Sequence, residues 1–110
     1  MGREAIDLVP YARDAAVLMG LNVRQSRLNR RWTAAQLGEY AGCSRQTVAA
    51  IEQGSPSVAF GNVLNVCAAL QLPLFVPDPA ELARLTRAQA VIVCLMPNRV
   101  MPTKVPSNDF

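Results

Sequence analysis

The chain of 110 residues is long enough for one compact domain, and its composition, 51% hydrophobic and 17% charged, is typical of a folded protein. Three widely spaced cysteines and no histidine indicate neither a disulfide framework nor a tetrahedral zinc site, and the absence of histidine also removes the commonest general base. The net charge is +3, but seven of the eleven Lys and Arg residues lie between Arg3 and Arg45, which suits a polyanionic partner and would equally arise from solvated helix faces.

The first predicted helix runs from about Ala12 to Arg30, after an N-terminal arm of residues 1–10 that carries little periodicity. Within the helix, Met19, Val23 and Arg27 recur at four-residue spacing. Arg27 is therefore expected to share a face with apolar residues.

Two short helices are predicted next, each with its own start and stop signals. Thr33 can cap the first helix, which ends at Gly42, and Ser44 can cap the second, which ends at Gly54. In the second helix the periodicity turns Val48 and Ile51 inward. The residues expected on its other side are Arg45, Gln46, Ala49, Ala50 and Gln53.

A strongly amphipathic stretch follows Ser57. Its apolar residues at i, i+3, i+4, i+7 and i+10 predict a core helix with one buried face. That face comprises Phe60, Val63, Leu64, Cys67 and Leu70.

The next segment, residues 72–77, is an apolar run whose two prolines restrict it to the edge of a sheet. A lone strand needs a partner, and the same segment of a second subunit would supply one around a two-fold axis. The predicted dimerisation residues are Leu72, Leu74, Phe75 and Val76.

The end of the chain is predicted to be a helix over 79–90, a stretch at 91–95 that fits either a helix or a strand, and a flexible proline-containing tail. The expected fold class is therefore all-α, a repressor-like DNA-binding domain of four to five helices. Its domains are the arm at 1–10, a helix-turn-helix domain at 11–77 with the strand at 72–77, and a C-terminal helix and tail at 78–110.

Between Thr33 and Gly54 the spacing of small and apolar residues meets the steric requirements of two helices joined by a tight turn. Two short helices can cross closely if Gly38 is small, Gly42 allows a left-handed turn and Leu37 fills the wedge between them. From about Val23 to Leu72, the sequence resembles the phage-repressor-like (XRE) family of helix-turn-helix regulators. It departs from that family in having Gly38 for Ala, Cys43 for an aliphatic residue and Ala34 for Gln.

The resemblance implies that Arg45 and Gln46 read base edges in the major groove, with side chains suited to guanine and adenine, although Arg45 could equally hold a phosphate. Ala49 and Ala50 would contact a thymine methyl or simply allow close approach. Thr33, Ser44 and Thr47 could donate to phosphates or serve as caps, and Gln53 completes the exposed side. The family also pairs the positions of Arg27 and Glu52 in a partly buried salt bridge.

The apolar segment and proline-rich tail after the helix-turn-helix also resemble HipB-type antitoxins. That resemblance implies an autoregulating repressor that binds a palindromic operator on double-stranded DNA as a homodimer, with a HipA-like kinase as partner and Phe110 as a candidate anchor in it. The alternative is a protein-interaction module that binds a partner through the strand and tail without reading sequence.

No targeting signal is evident in the sequence. Its start lacks the apolar region of a signal peptide, and the run Ala90–Met96 is too short to cross a bilayer. We therefore expect a cytoplasmic protein, associated with the nucleoid when bound to DNA, with no membrane partner, cofactor, metal or enzymatic activity.

Overall fold

The structure, a computed structural model, describes residues 6–98, and this part of the chain forms five α-helices and no strand. The helices are α1 (Pro10–Asn29), α2 (Ala34–Ala41), α3 (Arg45–Glu52), α4 (Phe60–Ala69) and α5 (Pro79–Cys94). The chain divides into two compact units, one up to Pro77 with α1–α4 and one from Asp78 onward with α5. None of these helices is both long and apolar enough to cross a membrane.

The core of the first unit lies where α1 packs on α3 and where α2 packs on α3 and α4. Each helix contributes an apolar stripe, and the eight apolar residues in it are at most 7% exposed. They are Val23, Leu37, Ala41, Val48, Ile51, Val66, Cys67 and Leu70. The prediction of an all-α domain built around the two short helices is confirmed.

The first helix begins two residues earlier than predicted. Pro10 is its first residue, because proline lacks an N–H that this position would leave unpaired and its fixed φ already suits a helix. Proline therefore starts α1 and does not close the preceding arm.

All four helices of the first unit end in the same way, with one residue in the left-handed region. These residues are Arg31 (φ 59°), Gly42 (φ 77°), Gly54 (φ 75°) and Gln71 (φ 58°). The residue after each one donates its N–H to a carbonyl five positions earlier, as in a Schellman motif; the Trp32 to Arg27 bond is 3.1 Å long. The sequence indicates the two glycine ends, whereas Arg31 and Gln71 carry no such signal.

The predicted buried face of α4 is displaced. Phe60 is 75% exposed and Leu64 is 37% exposed, while Val66, which was not predicted to face inward, is fully buried. The stripe that packs inward is Val63, Val66, Cys67 and Leu70. Because α4 is apolar on most of its circumference, two sets of residues satisfy the same spacing, and only packing against α2 selects between them.

The predicted strand at 72–77 does not form. The N–H of Leu72 instead donates to the Cys67 carbonyl at 2.8 Å and completes the end of α4, while its side chain packs on the core. The segment then bends around Pro73 and Pro77, which have no N–H for a ladder, and Phe75 is 81% exposed. The pairing of Leu72, Leu74, Phe75 and Val76 across a dimer therefore has no strand to support it.

The fifth helix is longer than predicted. Asp78 caps it by accepting from the Ala80 N–H at 3.2 Å, and the helix continues to Cys94, so the segment 91–95, which fitted helix or strand, is mostly helical. The predicted tail from residue 99 onward, including Phe110, lies outside the described residues, as do residues 1–5.

Candidate nucleic-acid interface

The pair of helices α2 and α3 is formed by local signals at each boundary. The Thr33 hydroxyl accepts from the Gln36 N–H at 3.0 Å, and the Gln36 side chain accepts from the Thr33 N–H at 2.8 Å. This reciprocal arrangement is a capping box. Ser44 caps α3 by accepting from the Thr47 N–H at 3.1 Å. Both caps predicted from the sequence are present.

The turn between α2 and α3 is tight because Gly38 has no side chain. A Cβ at Gly38 would lie 2.5 Å from the Cys43 carbonyl oxygen, well inside van der Waals contact. Gly42 adopts the left-handed conformation that closes the turn. The close approach of the turn to α2 therefore depends on glycine at position 38.

The two sides of α3 have opposite surroundings. Val48 and Ile51 are buried in the core. The other side, which we call the reading surface, consists of Arg45, Gln46, Ala49, Ala50 and Gln53. Its three long polar side chains are exposed and its two alanines are half-buried. Within residues 6–98, no ion pair engages Arg45.

The reading surface carries side chains of the types that can hydrogen-bond to base edges in duplex DNA. Arg45 offers a forked cation, Gln46 and Gln53 offer an amide donor and acceptor each, and the alanines leave room between them. No acidic residue belongs to this surface. An α-helix with such a side fits the major groove, which is about 12 Å wide.

The three predicted phosphate-contacting hydroxyls lie at the amino-terminal ends of the two helices. Thr33 and Ser44 are engaged as caps, and the Ser44 and Thr47 hydroxyls lie 2.9 Å apart in a hydrogen bond. Their oxygens are thus held in place beside the N–H groups of the first turns, where an anion is favoured electrostatically.

A charged pair joins α1 to the end of α3. Arg27 donates from Nε to Glu52 at 2.6 Å and from a terminal nitrogen at 3.0 Å, and its other terminal nitrogen donates to the Trp32 carbonyl at 2.9 Å. Both side chains are nearly buried, and the bond to Glu52 raises the pKa of Arg27. Arg24, largely exposed, also approaches the Glu52 carboxylate at 3.5 Å. The structure brings together the two residues that the resemblance pairs.

Sequence reasoning missed Gly20, which sets the distance between α1 and α3. A Cβ at Gly20 would lie 2.7 Å from the Glu52 carbonyl oxygen and still nearer to that of Ile51. Backbone atoms yield less readily than the end of a flexible side chain, so a larger residue here would push the two helices apart. The sequence shows only a glycine inside a predicted helix, which costs helix stability and does not indicate what lies against it. This one stands four residues from both Ala16 and Arg24 on the same helix.

The cysteines are free thiols. Burial raises the pKa of the Cys43 thiol in the turn and of the Cys67 thiol in the core, which favours their protonated forms. Among residues 6–98, no group of three or more His, Cys, Asp or Glu side chains could hold a metal ion.

The architecture and the exposed side of α3 define a DNA-binding helix-turn-helix protein. Residues 18–91 match the family profile described as a helix-turn-helix domain, which covers α2, α3, α4 and most of α1 and α5. The chain belongs to this helix-turn-helix family. A comparison with curated proteins found no match.

Proposed function

We propose that the protein is a sequence-specific transcriptional repressor of the phage-repressor-like type that binds a palindromic operator as a homodimer. The observation that supports this most directly is the reading surface of α3, whose long polar side chains are exposed while the opposite side of the helix is buried. A helix held in this way can enter the major groove without rearrangement of the core.

The second support is the rigidity of α3. Its start is capped by Ser44, its inner residues lie in the core, and its end is held by the buried bonds between Glu52 and Arg27. Base reading requires side chains that project from a fixed backbone, because hydrogen bonds to base edges tolerate little displacement. Arg45 and Gln46 project from the first turn of this helix.

The test begins with selection of preferred sequences from a random duplex library by the whole protein. Gln46→Ala should then weaken binding to the selected site by about 1–3 kcal/mol, measured by fluorescence anisotropy, because it removes a paired donor and acceptor. Binding to a scrambled duplex should change little. Gln25→Ala is the matched control, since Gln25 is an exposed glutamine on α1.

Two results would contradict base reading by α3. One is a library that yields no preferred sequence, and the other is an equal loss of affinity for selected and scrambled duplexes. Salt titrations accompany both measurements, because contacts to phosphates alone give sequence-blind binding that weakens steeply with salt.

A narrower form of the proposal is an autoregulating antitoxin that holds a HipA-like kinase at its operator. It is supported by the resemblance of the apolar segment and proline-rich tail after α4 to those of HipB-type antitoxins. The strand expected at 72–77 adds no support, because it does not form. The sequence has no histidine, the commonest general acid and base, and this favours a binding role without catalysis. A role at DNA favours a location in the cytoplasm, at the nucleoid.

A second candidate function is a protein-interaction module, favoured by the exposed apolar side chains of Leu74 and Phe75. The library selection separates the two candidates. A module that recognises only proteins would show sequence-blind DNA binding or none.

A further inference from the structure

The large apolar side chains of the fifth helix remain partly exposed to solvent. None of the residues of α5 is buried, although the helix carries two leucines, an isoleucine and two valines. Leu82 and Leu85 are 40% and 38% exposed, and Ile92 is 53% exposed. Fully burying an exposed side chain of this kind contributes about 1.5–3 kcal/mol, so a partner that covered these half-exposed residues would stabilise the helix by part of that amount for each residue.

The spacing of these residues indicates the kind of partner. Leu82, Leu85, Gln89 and Ile92 follow one another at intervals of three, four and three residues, and we call them the seam. This alternation places the four side chains along the narrow line where two helices lie side by side. A helix that packs onto a globular core has a wider apolar stripe. The seam therefore suits another helix.

The charged residues of α5 lie away from the seam. Arg87 is on the opposite side, and Glu81 and Arg84 form an ion pair with each other along the flank. A second α5 can approach the seam without like-charge repulsion and without separating this pair.

We propose that α5 pairs with α5 of a second copy of this chain, in parallel and in register, through the seam. Gln89 indicates that the partner helix is a second α5. A side-chain amide both donates and accepts hydrogen bonds, so two glutamines that face each other can pair. In register, Gln89 meets Gln89 and each apolar residue meets its equivalent. An antiparallel pair would set Gln89 against Leu85 or Ile92 and leave its amide unpaired, which costs free energy.

The pairing would bring two reading surfaces onto one DNA molecule. The segment 72–77 links α4 to α5, so in a parallel pair both linkers arrive at the same end. That consequence rests on the proposed function, but the pairing itself does not. The seam spans less than two full heptads, which makes a small interface, so we expect the association to be reversible.

The test is sedimentation equilibrium of the whole chain without DNA, from about 1 to 300 µM, which spans the range of weak and moderate interfaces. We expect the dimer fraction to rise with concentration. Leu85→Glu should abolish it, because two carboxylates would meet at the seam. Val91→Glu is the matched control, since Val91 is 59% exposed and lies off the seam. Circular dichroism establishes that each variant keeps its helices. If Leu85→Glu loses helix content, Ile92→Glu replaces it as the test variant.

Orientation is tested by disulfide formation. With Cys94→Ser as background, Leu82→Cys should form a linked dimer under mild oxidation, since equivalent residues of a parallel pair lie within disulfide range. In an antiparallel pair they would be about 15 Å apart, given a rise of 1.5 Å over ten residues. The background variant alone should form none.

A chain that stays monomeric throughout, or a dimer that Leu85→Glu leaves intact, would overturn the pairing. A Leu82→Cys variant that dimerises but forms no disulfide would overturn its parallel register. None of these results bears on base reading, because Gln46→Ala is measured on DNA and Gln46 is far along the chain from α5.

Discussion

At the junction of α1 and α3, a glycine lets two backbones touch and a nearly buried ion pair spans the helices, whereas α5 keeps all its residues in contact with solvent. Both regions are helical and both carry apolar residues at helical spacing. They differ in where the partner of each helix lies. The partner of α1 lies within its own unit of the chain, whereas the partner that we propose for α5 is a second copy.

This difference separates two kinds of substitution effect. Changes at the junction should lower the free energy of unfolding of a single chain, because they damage contacts that one chain makes alone. Changes along the seam of α5 should alter association and leave the dilute chain almost as stable as before.

The largest effect is expected from Arg27→Met. The substitution leaves the Glu52 carboxylate nearly buried, with only the 3.5 Å approach of Arg24 as an ion-pair partner among residues 6–98. Removing one member of a buried pair costs about 3–5 kcal/mol. Urea unfolding followed by circular dichroism measures the change.

Arg24→Met is the matched control for the junction. It removes the exposed arginine from the same carboxylate and should cost at most about 1 kcal/mol, as surface ion pairs do. Equal losses for the two variants would mean that burial of the pair does not matter, and the contrast with α5 would lose its main support.

Gly20→Ala is expected to have the next largest effect. The added methyl group would meet the backbone of Ile51 and Glu52, so α1 must move away from α3. Overpacking of this kind costs about 1–3 kcal/mol, and contact with backbone places this case at the upper end.

Gly61→Ala provides the control for Gly20→Ala. A Cβ at Gly61, within α4, has no atom within 4 Å, so alanine should be tolerated there and should stabilise the helix by up to about 1 kcal/mol. If Gly20→Ala were as harmless, the two helix backbones would not be in the close contact described above.

The parts of the fold that the sequence predicts are those fixed by neighbouring residues. The caps at Thr33 and Ser44 and the turn at Gly42 depend on side chains or dihedral angles within a few positions. The exposed side of α3 follows from the inward positions of Val48 and Ile51. Pairing of Arg27 with Glu52, 25 residues apart, came from family resemblance, since periodicity alone places each near the core without joining them.

The remaining features depend on packing between distant segments. The phase of α4 could not be derived because its apolar residues cover most of the helix, and contact with α2 decides which of them are buried. The prediction of a strand at 72–77 was wrong. A strand needs a sheet to pair with, and residues 6–98 form no sheet that this apolar run between prolines could join. The requirement for Gly20 becomes visible only when α3 lies against it.

The smallest effect on the dilute chain is expected from Ile92→Ala. Ile92 is 53% exposed and alanine favours helix, so the unfolding free energy at low concentration should change by no more than about 0.5 kcal/mol. At high concentration the wild-type chain should gain stability from association, and the variant should gain less. Thermal unfolding at several concentrations measures both, with Val91→Ala as the control off the seam. A large loss in the dilute chain would show that α5 already has its partner within one molecule, because only contacts made by a single chain are independent of concentration.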